Sequence, residues 1–368
     1  MRPFPRAGAP AVAAVAVTAA VLITGCSSAP AAPKPAKPVH LTVFQPPSGV
    51  LGSASKDAAA ARKALLAIAG AAAKAAAPAA GRYWVTPAVA GNFVEVGTPK
   101  NHYLVLEKVA TQTWAASAAS DGSPSVEQPL GVQLASAADQ AAWHRAGSPA
   151  QWSDAAQDTG LADPQGYANS GRLAPLSAGP GKQVVSTVNS GGPPFAVGNE
   201  LLSLAQLRAL PADPATLKAM LLQVWNSGYG DAQAYLFEAM PPILRMPVTP
   251  AVRSALYQML AGLPGMQSLG EVTDAAGQRG VAVAYTTKYT GCGGVLDLGG
   301  TGAAGFQTTF AYCTVQQILV MNPATGLPLA EELRYAKLPP GQSWSAPDGL
   351  FSYEIYTAGR WTNASPPS

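Results

Sequence analysis

The chain has 368 residues, enough for one large domain or two smaller ones, and 48% of them are hydrophobic, which is typical of a globular protein. Only 12% are charged, about half the usual share, and the formal net charge is +3. If the N-terminal segment that contains Arg2 and Arg6 is cleaved, 21 basic residues remain against 20 acidic ones. A chain so close to neutral lacks the basic surface that binds phosphate backbones, so no nucleic acid is expected as a partner.

An export signal opens the sequence. Arg2 and Arg6 form a positive segment, and residues 11–23 are an apolar run that is short for a membrane span. The run ends in the sequence LITGC, which resembles the bacterial lipobox: an aliphatic residue, a small one, Gly or Ala, then Cys. The resemblance implies that Cys26 is lipidated and becomes the mature N-terminus, so that two acyl chains anchor the protein at the extracytoplasmic face of the cell membrane. An ordinary secretory signal with a chance cysteine is the alternative.

The sequence divides into three parts of different composition. Residues 1–25 are the predicted signal peptide, and residues 26–50 are a Pro/Ala-rich linker that cannot bury enough side chains to fold. Residues 51–368 are expected to form a single α+β domain. Its first predicted element is an Ala-rich helix over 55–77 with a modest apolar face, for which a membrane-surface helix is the alternative.

β-rich segments follow this helix. Short strands are predicted over 82–86 and 92–96, and a longer one over 102–116, where aromatic and β-branched residues alternate with others. Ser136 and Asp139 are typical of a capping box that opens a short helix.

The segment 147–199 is long and loop-rich, with one possible strand at Val184–Val188. A stretch of this length without regular structure is uncommon in a compact domain. It is expected to be a cover over a groove or an ordered irregular coat.

Helices dominate residues 201–263, and strands dominate residues 266–357. Four helices are predicted in the first segment; the third ends at Pro241-Pro242, and the fourth is capped by Thr249. The predicted fold class is therefore α+β: a curved antiparallel sheet with an N-terminal helix and a four-helix segment packed on one side.

Cys292 and Cys313 lie on the two arms of a predicted hairpin. In an exported protein, two cysteines apart from the lipidated one are expected to form a disulfide, and a metal pair is the alternative. The glycines of Gly300–Gly305 match a dinucleotide-binding pattern, but the residues that follow are typical of a strand, so no helix N-terminus is available for a pyrophosphate.

No catalytic set stands out. The three histidines, His40, His102 and His144, have no metal-ligand spacing, and no nucleophile elbow marks a serine that could pair with His144. Glu331 and Glu332 are adjacent, so they are expected on opposite strand faces rather than as a carboxylate pair. We therefore expect no enzyme activity, no cofactor and no metal.

The middle and C-terminal parts of the chain resemble an actinobacterial family of exported, membrane-attached proteins of unknown function. The resemblance rests on five segments and extends more weakly to the tryptophans near Tyr83 and at Trp114 and to residues 141–148. The five segments are Leu210–Leu217, Pro250–Tyr257, Leu263–Gly265, Val272–Val283 and Asn322–Gly326. These motifs are caps, turns and strand alternation, so the family implies no catalytic residues.

This chain departs from the family in two ways. Many members have a membrane helix where this chain has a lipobox, and residues 286–315 resemble an insertion into the usual hairpin. At the level of fold alone, the plan is also similar to half-open-barrel bacterial lipoprotein carriers and sensors.

The expected function is a non-catalytic binding role in the cell envelope. The partner would be an apolar ligand in a groove between sheet and helices, or another envelope protein. A protein-interaction or sensing module without a ligand is the first alternative, and a hydrolase that uses His144 is the second.

Replacing Cys26 by Ala is expected to abolish lipid attachment and to release the protein from the membrane, because the thiol is the proposed attachment point for the acyl chains. Labelling with a fatty-acid analogue, followed by membrane fractionation, measures both effects. Ser27→Ala is the matched control and should retain label and membrane association. A Cys26→Ala protein that still carries the label would contradict the lipobox assignment.

Overall fold

The computed structural model describes ten ranges of the chain: 39–45, 57–98, 100–118, 121–152, 176–188, 192–198, 200–224, 231–290, 312–338 and 346–367. The signal peptide, Cys26, Cys292 and the glycine motif Gly300–Gly305 lie outside these ranges. From Val39 onward the chain belongs to one compact unit.

Seven α-helices occur in the described ranges: α1 (Ala58–Lys74), α2 (Ala137–Arg145), α3 (Leu204–Arg208), α4 (Pro214–Val224), α5 (Ala232–Glu238), α6 (Met240–Arg245) and α7 (Pro250–Ala261). The strands there are β1 (Tyr83–Thr98), β2 (Asn101–Ala116), β3 (Ser123–Leu134), β4 (Gln151–Trp152), β5 (Leu176–Ser177), β6 (Val184–Val188), β7 (Phe195–Val197), β8 (Glu200–Leu202), β9 (Gln267–Thr273), β10 (Arg279–Thr290), β11 (Tyr312–Met321), β12 (Pro328–Lys337), β13 (Leu350–Tyr356) and β14 (Arg360–Thr362).

Ten of these strands form one open antiparallel sheet. Its order is β6-β3-β2-β1-β13-β12-β11-β10-β9, and β14 pairs with the start of β1 beside β13. The pairs β4–β5 and β7–β8 are separate two-stranded ribbons. The predicted α+β class, with an N-terminal helix and a large antiparallel sheet, is confirmed.

One face of the sheet packs against the helices. Trp84, Val283, Tyr285, Leu319 and Met321 point to this face because side chains alternate along a strand, and they share one core cluster with apolar residues of α1 and α3–α7. Helix α1 lies along α7. The Ala-rich face of α1, which includes the buried Ala61, Ala69 and Ala72, allows the two helices to approach closely.

The opposite face is covered in part by residues 39–45. The Phe44 ring stacks on Tyr353 at 6.4 Å between centroids and meets Phe93 edge-on at 5.6 Å. The Phe44 N–H donates to the Leu134 carbonyl at 2.8 Å, and the Leu134 N–H donates to the Thr42 carbonyl at 2.9 Å. The linker predicted over 26–50 is therefore too long: residues 39–45 already belong to the folded unit, because Leu41 and Phe44 are buried.

Two strand predictions are corrected. The separate strands at 82–86 and 92–96 are one strand, β1, because its pairing with β2 continues without a break across Pro87 and Gly91. The structure adds a strand, β3, for which no prediction is made; its two prolines, Pro124 and Pro129, are residues that a strand disfavours. A register shift where Val109 faces Pro129 accommodates one of them.

The described residues of the helical segment form five helices, where four are predicted. Pro241 and Pro242 do not end α5 but lie in the first turn of α6. Proline is tolerated there because the N–H groups of the first turn make no hydrogen bond within the helix. The caps are as predicted: the Thr249 hydroxyl accepts from the Val252 N–H, and the Ser136 hydroxyl accepts from the Asp139 N–H. The Asp139 carboxylate also accepts from the Leu104 N–H at 2.9 Å, which ties α2 to β2.

Cys313 is buried on β11 in a cluster with Val315 and Leu333. Its predicted partner, Cys292, lies outside the described residues, so the disulfide stays a prediction. No helix within the described ranges is both long and apolar enough to cross a membrane.

Gly91→Ala is expected to lower the free energy of unfolding by about 1–3 kcal/mol, because the new methyl group would lie 2.3 Å from the ring of the buried Tyr353. Gly70→Ala is the matched control: Gly70 is exposed on α1 with no atom within 4 Å of the new methyl group, so the same change should stabilise by about 0.5–1 kcal/mol. Urea unfolding of both variants measures the difference. Equal effects would contradict the packing of Tyr353 against Gly91.

Candidate ligand-binding cavity

A cavity of about 430 Å³ lies between the helices and the sheet. This volume falls within the range of about 300–1,000 Å³ that is typical of small-molecule sites. Its described wall comes from the end of α1 and the residues after it, from α6 and α7, from the β11–β12 turn, and from the β13–β14 segment. The residues are Ala75, Ala76, Pro78, Ala79, Trp84, Leu244, Arg245, Arg253, Thr325, Leu327, Pro328, Tyr356, Thr357, Ala358, Gly359, Arg360 and Trp361.

Two tryptophans form the aromatic wall. Trp84 on β1 and Trp361 on β14 are directly opposite each other in the strand pairing, and their rings meet at 66° with centroids 5.4 Å apart. This is the edge-to-face geometry that aromatic pairs prefer. Gly359 makes room for it: a Cβ at that position would lie 2.4 Å from the Trp84 ring.

Trp84 also connects the sheet to the helices. Its indole N–H donates to the carbonyl oxygen of Arg245, the last residue of α6, at 2.8 Å. The last carbonyls of a helix have no intrahelical partner, so this bond satisfies one of them. The short helix α6 is thereby held at a fixed position above β1.

The Arg245 side chain forms the charged part of the floor. Its Nη1 donates to Glu354 Oε1 at 2.8 Å, and its guanidinium lies 4.3 Å from the centre of the Tyr356 ring. The Tyr356 hydroxyl donates to Glu331 Oε2 at 3.0 Å. Arg245 is therefore held by a carboxylate and an aromatic ring of the strands below it.

Glu331 belongs to a group of three carboxylates under α5 and α6. Burial is the main cause that raises the pKa of Glu331 to about 7, and the negative charges of Glu354 and Glu238 add to it. The hydrogen bond from Tyr356 and the positive charge of Arg245 oppose the shift. Glu331 is therefore partly protonated at neutral pH.

Glu332 points to the other face of the sheet, as predicted from its adjacency to Glu331. It forms a buried ion pair with Arg334, with 2.6 Å between the Arg334 Nη2 and Glu332 Oε2. The two glutamates do not form a carboxylate pair.

Arg253 is the least compensated charge in the described wall. It lies in the second turn of α7 and is only 4% exposed. Its Nε is buried without a hydrogen-bond partner, and no carboxylate of the described residues forms an ion pair with it. Burial lowers the pKa of Arg253, and the nearby Tyr257 opposes this shift.

The cavity wall is positive overall. Among its described residues three are arginines and none is acidic. Two further N–H donors of the wall, Arg245 Nε and Trp361 Nε1, are buried without a hydrogen-bond partner. The wall thus offers an apolar surface together with unused hydrogen-bond donors.

The functional residues predicted from the sequence either lie away from this cavity or lie outside the described residues. Cys26 and Cys292 lie outside the described residues. The His144 Nδ1 is 3.1 Å from the Ser148 hydroxyl on the exposed end of α2, but within the described residues no carboxylate pairs with His144 to complete a triad. No group of three potential metal ligands occurs in the described part of the chain. The absence of enzyme activity stays a prediction.

The residues that form the cavity were not identified from the sequence. Trp84 and Trp361 lie near opposite ends of the folded chain, and Arg253 is flanked by residues that fit an amphipathic helix. No local signal marks Arg253 as buried, because a basic residue at this position is typical of an ordinary amphipathic helix.

Comparisons of this chain with protein-family models, with curated proteins and with solved structures returned no match. The resemblance to an actinobacterial family therefore stays a prediction.

Glu331→Gln is expected to flatten the pH dependence of stability. The pKa of Glu331 is raised in the folded state, so the folded protein holds this proton between pH 4.5 and about 7 while the unfolded chain releases it, and stability falls as pH rises through this window. Relative to the variant, the wild type should lose about 2–3 kcal/mol between pH 4.5 and 7.5. Urea unfolding at several pH values measures this difference, with Glu271→Gln, an exposed position on β9, as the control. A wild type and a Glu331→Gln variant with parallel profiles would contradict the assignment.

Proposed function

We propose that this protein binds a small apolar ligand in the cavity between its helices and its sheet, while a lipid anchor at Cys26 holds it at the cell membrane. The observation that supports the ligand is the cavity itself, which is large enough for a small molecule and is walled by two tryptophans and several aliphatic residues. The lipobox pattern at residues 22–26 supports the anchor.

The shape of the site favours a small ligand over a protein partner. A protein interface of standard size is broad and buries about 800 Å² on each side, whereas this site is a recess at the junction of several elements. Trp84, Leu244 and Trp361 supply apolar contacts that flat polar surfaces lack. Removing such apolar area from water contributes about 25 cal/mol for each Å² buried.

The rigid surroundings of the recess also support binding. Trp84 is fixed by its bond to the Arg245 carbonyl, and β14 is fixed by its pairing with β1. A preformed site loses less conformational entropy when a ligand enters.

Ala358→Trp is expected to weaken the binding of an uncharged apolar probe, because the indole would fill part of the cavity. The probe is N-phenyl-1-naphthylamine, whose fluorescence rises in apolar surroundings, and its dissociation constant should rise by about tenfold or more, equivalent to about 1.4 kcal/mol. The protein to use is the mature chain from residue 26 with Cys26→Ala, so that no acyl chain of its own competes.

Ala276→Trp is the matched control. Ala276 is exposed in the β9–β10 turn and is not part of the described cavity wall, so this variant should bind the probe like the parent protein. A parent protein that does not bind the probe, or an Ala358→Trp variant that binds it unchanged, would contradict the proposed site.

A further inference from the structure

We propose that Arg253 binds the anionic head group of the ligand, so that the cavity selects an amphiphile with one apolar chain and a terminal carboxylate or phosphate. This inference rests on the proposed function and specifies its ligand class. The tail would lie against Trp84 and Trp361, and the head would lie at the Arg253 guanidinium.

No described residue gives Arg253 the partner that a buried charge requires. Lys, Arg, Asp and Glu are almost never fully buried unless they are paired. Only 4% of the Arg253 surface is exposed, and its Nε has no hydrogen-bond partner among the described residues. The nearby Tyr257 hydroxyl does not serve as its partner, because it donates its proton to the Gly326 carbonyl at 2.8 Å. An anion that enters the cavity would provide the missing partner.

The other two arginines of the described wall do not offer a buried, unpaired guanidinium to an anion. Arg245 is already bound to Glu354, and Arg360 is exposed to solvent. Arg253 is therefore the buried guanidinium in the described wall that is free to form a bidentate contact with a carboxylate or a phosphate.

The Arg253 charge and the apolar surface of Trp84 and Trp361 belong to the same cavity. A cationic ligand is disfavoured, since it would meet the unpaired Arg253 guanidinium and no acidic residue lines the described wall. A fully apolar ligand would leave the Arg253 donors without a hydrogen-bond partner in a buried site, which is unfavourable. An anionic amphiphile satisfies both parts of the wall.

The test compares three ligands that share a ten-carbon chain: decanoate, decyl phosphate and decanol. Each displaces N-phenyl-1-naphthylamine from the mature Cys26→Ala chain at neutral pH. At least one of the two anions should bind about tenfold or more tightly than decanol, and the tighter anion identifies the head group as carboxylate or phosphate. Decanol that binds as tightly as both anions would overturn the inference and leave the proposed function standing. A protein that binds neither the probe nor any of the three ligands would overturn the proposed function itself.

Substitutions assign the selectivity to Arg253. Arg253→Met removes the charge at nearly constant length, and this variant should bind the anions and decanol with equal affinity. Arg253→Lys keeps the charge but not the bidentate geometry, so part of the preference for anions should remain. Arg279→Met makes the same chemical change at an exposed position on β10 that is not part of the described wall, and it should behave like the parent.

Folding of the variants is checked by thermal unfolding. Because Arg253→Met removes an unpaired buried charge, its melting temperature should equal or exceed that of the parent without ligand. An Arg253→Met protein that retains full selectivity for anions would overturn the role of Arg253. If this variant melts lower than the parent, the Arg253→Lys protein decides, since an Arg253→Lys protein that folds like the parent and keeps the full preference for anions would overturn the bidentate contact at Arg253.

Discussion

The hydrogen bond from the Trp84 indole to the Arg245 carbonyl fixes the relation between the helices and the sheet at the cavity. Trp84 belongs to β1, which pairs with β2, β13 and β14, and Arg245 ends the short helix α6. The same two residues position Trp361 by ring contact and Glu354 by an ion pair. The buried apolar residues of α6 and the ion pair between Arg245 and Glu354 hold the helix to the sheet beside this bond.

Charge is distributed unevenly around this junction. The negative charges of Glu354 and Glu238 disfavour the ionised form of Glu331, whereas the charged residues of the described cavity wall are all arginines. Arg245 and Tyr356 separate the two regions. The unpaired, buried charge of Arg253 lowers the stability of the empty protein, as functional sites often do. An anion that binds to Arg253 is expected to remove this cost.

The local elements could be predicted from the sequence, and the site could not. Thr249 caps α7 and Ser136 caps α2 as predicted, because a cap depends on residues that are neighbours in the sequence. Strand β3 contains prolines, which a strand disfavours. It forms because the pairing with β2 shifts register at Pro129, and such pairing depends on residues that are distant in the sequence. The cavity joins Trp84, Arg253 and Trp361: strand pairing brings the two tryptophans together, and the packing of α7 on the sheet adds Arg253. No local pattern distinguishes Arg253 from an exposed arginine on a helix.

The most direct test of the central claim is the chemical identity of what the protein carries from the cell. The mature Cys26→Ala chain, exported and purified without detergent, would be extracted with organic solvent and the extract analysed by mass spectrometry. We predict a single-chain amphiphile with a carboxylate or phosphate group, in near-equimolar amount, that is absent from an Ala358→Trp preparation made in parallel. An extract that contains only uncharged lipid, or the same lipid in equal amount in both preparations, would contradict the account.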